Sequence, residues 1–129
     1  MATCLLDTSV IIDAINDRKG RRQLLSELLE QGNTLACCPI NIAEVYAGLR
    51  PNEEENTGRL LRSLDLYPVT FGVAERAGLL KRDFGKKGQT LNLGDVLIAA
   101  TALHHGLTLL TDNTKDFPMP DLTLYRSPG

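Results

Sequence analysis

Of the sixteen acidic residues in this chain, a few stand where a carboxylate could do chemistry. Asp7 directly follows the apolar run from Thr3 to Leu6, and Asp95 heads the apolar run Val96 to Leu103. Glu44 lies within Ile40 to Arg50, on the helical face opposite Ile42 and Leu49, and the small Ala47 and Gly48 one turn onward permit close approach. Asp112 and Asp116 follow a late apolar run, Leu107 to Leu110, and the residues alone leave open which is the fourth acid. Carboxylates gathered at one place repel and raise one another's pKa unless a cation neutralises them. Hard oxygen ligands select magnesium or manganese, and such an ion can polarise a phosphodiester and generate hydroxide from bound water. Taken singly, each acid has an ordinary explanation. Glu44 suits a solvated face, and Asp95 suits a helix start that Asn92 could cap. The case for chemistry is the set.

Other chemistries fit less well. An aspartyl-phosphate mechanism at Asp7 would want a D-x-D pattern, and the second position is Ser9. Cys4, Cys37 and Cys38 lack C-x-x-C spacing and His104 and His105 are adjacent, so zinc has no support. The cysteines read as reduced, buried thiols of a cytosolic protein. A non-catalytic binding module would not need the full acidic set.

The acids require elements to carry them. Thr3 to Leu6, Thr34 to Cys38 (closed by Pro39), Leu66 to Val69 and Leu107 to Leu110 read as short strands, with Leu122 to Tyr125 as a possible edge strand. Between them lie helical patterns: Ser9 to Ile15; a stripe of Leu24, Leu25, Leu28 and Leu29 ended by Gly32; Ile40 to Arg50, with Ile42, Val45, Tyr46 and Leu49 on one face and Pro51 as the stop; a polar helix with Leu60, Leu61 and Leu64; Val73 to Phe84; and a fully buried Val96 to Leu103. Gly85, Lys86, Lys87 and Gly88 read as a basic, flexible break. Alternating strands and helices predict an α/β fold: a three-layer α/β/α sandwich with a mainly parallel central sheet, in one domain over residues 1–129. In such sheets ligands bind beyond the carboxyl ends of the strands, so Asp7 would meet Asp112 or Asp116 if their strands are neighbours.

With 43% hydrophobic and 23% charged residues, the composition is that of an ordinary soluble domain. The absence of a basic leader or a span-length apolar segment predicts no membrane association and a cytoplasmic protein. Net charge is −2, yet Arg18, Lys19, Arg21 and Arg22 form one basic cluster and Lys81, Arg82, Lys86 and Lys87 another. Either could hold phosphate or be a solvated helix face. Asp13 and Asp17 are read as surface residues.

Four segments carry a resemblance over essentially the whole chain: LLDTSVIID around Asp7, NIAEVYAGL around Glu44, LNLGDVLIAATAL around Asp95, and LLTDNTKDF from Leu109 to Phe117. In family order and approximate spacing, they resemble the PIN-domain ribonucleases, most closely the VapC-like toxins of bacterial toxin–antitoxin pairs. The resemblance implies a compact α/β/α sandwich and a magnesium-dependent endoribonuclease, with manganese as an alternative ion. It implies Asp7 and Asp95 as principal metal ligands and Glu44 as a further ligand or water-positioning group. Asp116 becomes the fourth acid, because Thr111, Asn113, Asp116 and Phe117 together fit the pattern T-x-N-x-x-acid-F; Asp112 is the lesser choice. Thr8, Ser9, Thr111 and Asn113 match supporting polar positions. A homodimer, an RNA substrate and an inhibitory antitoxin are further expectations of the resemblance.

Overall fold

The structure is a computed structural model and describes residues 1–126. Five short strands, β1 (Thr3–Leu6), β2 (Thr34–Cys37), β3 (Asp65–Leu66), β4 (Thr108–Leu110) and β5 (Thr123–Leu124), form one sheet in the order β3-β2-β1-β4-β5. Every pairing is parallel, so each connection must cross over one face. Six helices make the first three of these connections, α1 (Thr8–Ile15), α2 (Arg21–Glu30), α3 (Pro39–Ala47), α4 (Glu54–Ser63), α5 (Phe71–Lys86) and α6 (Leu93–His105), while β4 and β5 are joined through a single 3₁₀ turn.

Side chains alternate across the sheet, and each face has its own core. Cys4, Leu6, Leu35, Cys37 and Leu110 pack with Val10, Ile11, Leu25, Leu28, Val45 and Leu61 from α1 to α4. Leu5, Ala36 and Leu109 pack on the opposite face with Val73, Ala77, Val96, Ile98, Ala99 and Ala102 from α5 and α6. The result is the expected three-layer α/β/α sandwich, with β1 at its centre. From β1 the chain proceeds to β2 and β3 on one side, while β4 and β5 occupy the other, so the direction of strand addition reverses between β1 and β4. The connections leaving these two strands diverge and open a crevice at their carboxyl ends.

Several expected boundaries move for identifiable reasons. Pro39 does not merely close a strand; it is the first residue of α3, where its missing N–H costs nothing, and Cys38 is the cap. The strand expected at Leu66 to Val69 is only Asp65–Leu66, since Tyr67 N donates to Cys37 O (2.9 Å) and Pro68 then offers no donor. The first half of the flexible break at Gly85 to Gly88 is helix: α5 runs through Lys86, Lys87 is its C-cap, and Gly88 follows with a φ of +84° that suits glycine. Tyr46, expected on the apolar face of α3, is 40% exposed, while Ile42, Val45 and Leu49 join the core. Asp13, expected at the surface, is buried, with the Lys19 ammonium 3.6 Å away.

Between α2 and α4 the surface opens into an apolar groove of about 690 Å³, floored by Leu35 and walled by Leu25, Leu29, Leu60 and Leu64. No helix among the described residues is long and apolar enough to cross a membrane.

Candidate active site

Asp7 is the pivot of the crevice. Its backbone N–H extends the β1–β4 pairing by donating to Leu110 O (2.9 Å), and the chain then turns directly into α1. As N-cap of that helix, Asp7 accepts from Thr8 N through Oδ1 (2.9 Å), while Oδ2 accepts from the Thr111 hydroxyl just beyond β4 (2.7 Å). The carboxylate is only 5% exposed. Burial raises its pKa; the hydrogen bonds from Thr111 and Thr8 oppose the shift, and the charges of Glu44 and Asp116 add to it.

Asp95 enters from the opposite layer. It lies in the first turn of α6, where its N–H donates to Asn92 Oδ1 (3.3 Å), so the expected Asn92 cap is present. Burial, followed by the charges of Asp7, Asp116 and Glu44, pushes its pKa up to about 6. Glu44 projects from the middle of α3. Its Oε1 accepts from the Thr8 hydroxyl (2.6 Å), and its Oε2 lies where a side chain at Gly94 would be, 3.0 Å from an ideal Cβ. Glycine at that position lets α3 and α6 bring Glu44 and Asp95 together.

The two late aspartates part company. Asp116 closes a 3₁₀ turn, Thr114–Asp116, anchored by the buried Phe117. It shares a cleft of about 200 Å³ with Asp95, Asn92, Gln89, Thr90 and Lys115. Asp112 points instead to α2 and is ion-paired with Arg21. Thr111 ties the strand end together by bonding Asp7 and accepting from Asn113 N (3.0 Å). Thr8 contacts Glu44, whereas the buried Ser9 hydroxyl has no hydrogen-bond partner.

The basic clusters are partly committed to the protein itself. Arg21 holds Asp112, Lys19 faces Asp13, and Arg22 donates to Ala14 O (3.3 Å) and Ile15 O (3.0 Å) at the end of α1. Lys87 sits 5.4 Å from the centre of the Phe84 ring, while Arg18 and Lys86 are exposed. Lys81 donates to Leu91 O, and Arg82 pairs with Asp83.

Asn41 and Gly94 were not singled out from the sequence. Asn41 is completely buried, and its one sequence signal is its place at the third position of α3, the reciprocal position of a capping box. Among the described residues, no three acidic, cysteine or histidine side chains stand close enough together to hold an ion as they are placed. The donor set nevertheless suits a hard divalent cation: it is all carboxylate oxygen, and no described Lys or Arg forms a salt bridge with Asp7, Glu44, Asp95 or Asp116. The raised pKa values of Asp7 and Asp95 reflect burial first and the uncompensated charge of the neighbouring acids second.

Comparison with known proteins shows the family and the fold. Residues 4–119 match the PIN domain family. Ribonuclease VapC10 of Mycobacterium tuberculosis is 36% identical over 115 residues, spanning 89% of this chain and 86% of that protein. Ribonuclease VapC19 of the same organism is 32% identical over 119 residues, spanning 92% and 95%. Among solved structures, VapBC2 from Rickettsia felis bound to a DNA fragment from its promoter has a TM-score of 0.80 at 30% identity, over 95% of this chain and 97% of that one. A toxin–antitoxin complex from Klebsiella pneumoniae has a TM-score of 0.77 at 30% identity, over 93% and 95%.

Proposed function

The chain belongs to the PIN domain family, and from that premise we propose that it is a metal-dependent endoribonuclease and the toxin of a toxin–antitoxin pair. The observation that carries this reading is that Asp7, Glu44, Asp95 and Asp116 face one crevice near enough for their charges to add to the burial that raises the pKa of Asp7 and Asp95, with no protein cation salt-bridged to any of them among the described residues. The ribonuclease names of the relatives support the RNA substrate, and the solved complexes support an antitoxin partner.

In this reading Asp7 and Asp95 are the principal ligands for magnesium or manganese, with Glu44 and Asp116 as further acids. A bound ion supplies Lewis acidity toward the phosphodiester and lowers the pKa of water. The protein's share is preorganisation. Thr8 N and Thr111 fix the Asp7 carboxylate at the strand end, and the Asn92-capped start of α6 fixes Asp95. Lys115, beside Asp95 and Asp116, offers a charge to a backbone phosphate.

Purified protein free of antitoxin should cleave RNA in magnesium or manganese and stop in excess chelator. The fragments should carry 5′-phosphate and 3′-hydroxyl ends, as direct attack by water requires. Cleavage undiminished by chelator, or 2′,3′-cyclic phosphate ends, would overturn the mechanism, because cyclic ends require attack by the ribose 2′-hydroxyl.

The apolar groove between α2 and α4 is the proposed seat of an apolar antitoxin segment, since it is concave and its wall includes the 55% exposed Leu29. Leu29→Asp with Leu60→Asp should abolish inhibition by the antitoxin while RNA cleavage persists; retained inhibition would place the contact elsewhere. A cytoplasmic homodimer belongs to the same reading, and the exposed Phe71, Leu79 and Leu93 are apolar side chains that a second copy could cover.

A further inference from the structure

Asn41 is a fully buried polar side chain whose two polar atoms, Oδ1 and Nδ2, each have a hydrogen-bond partner that fixes the orientation of the amide. Its Oδ1 accepts from Cys38 N (2.8 Å) at the entrance to α3, which obliges the amide NH2 to face the other way. There Nδ2 donates to Thr8 Oγ1 (3.1 Å). A hydroxyl has one hydrogen, and with Asn41 donating to its oxygen that hydrogen is free for the carboxylate it faces: Thr8 Oγ1 lies 2.6 Å from Glu44 Oε1. The donor direction is thus set along the whole path, from the Cys38 amide through Asn41 and Thr8 to Glu44. Glu44 sits on an exposed stretch of α3, where a flexible side chain would otherwise sample several rotamers.

We infer that Asn41 is a positioning residue for Glu44, acting through the Thr8 hydroxyl to hold one carboxylate oxygen and leave the other beside Gly94 at the head of α6. The inference rests on the nuclease reading above and adds to it a residue of α3, a different helix from the one that carries Asp95. It also assigns unequal tasks to the two oxygens of Glu44: Oε1 is committed to Thr8, and Oε2 alone is available to the acidic cluster.

Two substitutions separate this role from simple helix capping. Asn41→Asp keeps an oxygen for the Cys38 amide, so the entrance to α3 survives, but replaces the NH2 donor with an acceptor that diverts the Thr8 hydrogen from Glu44. Thr8→Val removes the hydroxyl at nearly constant shape and keeps the backbone N–H that Asp7 accepts. Thermal melting, calorimetric titration with Mn2+, and kcat and KM on RNA are measured for wild type, both variants and the double variant.

Both single variants should remain folded but melt a few degrees below wild type, since one buries a carboxylate and the other leaves the Asn41 NH2 without its partner. In the folded proteins Mn2+ should bind about tenfold more weakly and kcat fall by a similar factor with KM for RNA little changed. The double variant should lose no more than the poorer single one, because both interrupt one path. Mn2+ binding by wild type that neither variant weakens, or losses that add in the double variant, would overturn the inference while leaving the nuclease reading intact. Failure of wild type to bind Mn2+ would overturn both.

Discussion

Asp7→Asn and Asp95→Asn should each reduce RNA cleavage about a thousandfold, equivalent to about 4 kcal/mol of lost transition-state stabilisation, while both proteins remain folded. Each change substitutes a neutral amide for a carboxylate at nearly constant volume, and Asn can still cap α1 or occupy the first turn of α6. The same substitutions should alter metal-free stability in the opposite direction. Asp95 has its pKa raised on folding, from 3.8 to about 6, so the folded state binds this proton more tightly than the unfolded chain does. Stability therefore falls as pH rises from about 4 to about 6, and the loss is complete above that window. Asp95→Asn removes the penalty and should stabilise the metal-free protein at pH 7 by on the order of 1 kcal/mol, a figure discounted for the solvent that reaches this site. Melts of wild type and Asp95→Asn in chelator should differ at pH 7 and converge near pH 4. A gap of equal size at both pH values would show that charge is not its cause. Undiminished cleavage by both variants would remove these residues from the active site.

Asp116→Asn should reduce cleavage about a hundredfold and Asp112→Asn less than tenfold, at saturating magnesium and with both variants folded. Asp112 is nearer the end of β4 and would be the obvious choice by chain position, yet it is ion-paired to Arg21 on the other side of the loop. Its loss removes a clamp between α2 and the β4 end, a partly exposed pair of modest worth. Asp116 is returned to the crevice by the Thr114–Asp116 turn and adds to the electrostatic shifts of both Asp7 and Asp95. Steady-state rates on one RNA substrate suffice as the measurement, and the reverse order would identify Asp112 as the functional acid.

Much of this was legible one segment at a time. The apolar run ending at Asp7 marks a buried strand; Asn92 before Asp95 marks a capped helix start; and the unbroken apolar character of Val96 to Leu103 marks a helix enclosed by the core. Such signals are local because backbone hydrogen bonding and side-chain periodicity act over a few residues. The alternation of strands and helices also implied the parallel sheet, since parallel neighbours require crossovers.

Local signals do not say which element covers which. The hydrogen bond between Thr111 and Asp7 joins residues 104 positions apart, and the Arg21–Asp112 pair spans 91. Both depend on β1 and β4 being neighbours, a choice made by the packing of the whole sheet. The same holds for Asp13, which chain position marks as a surface residue and packing buries near Lys19, and for Asn41, whose purpose is apparent only when Thr8 arrives from another element. By itself the sequence determined which acids stand at element ends and which residues form the core, because those properties follow from hydrophobic pattern and capping chemistry. Only the tertiary structure decided which of the acids meet and which cations are already paired, because charge and hydrogen-bond partners are selected by distance in space, and that distance is settled when the two cores close on the sheet.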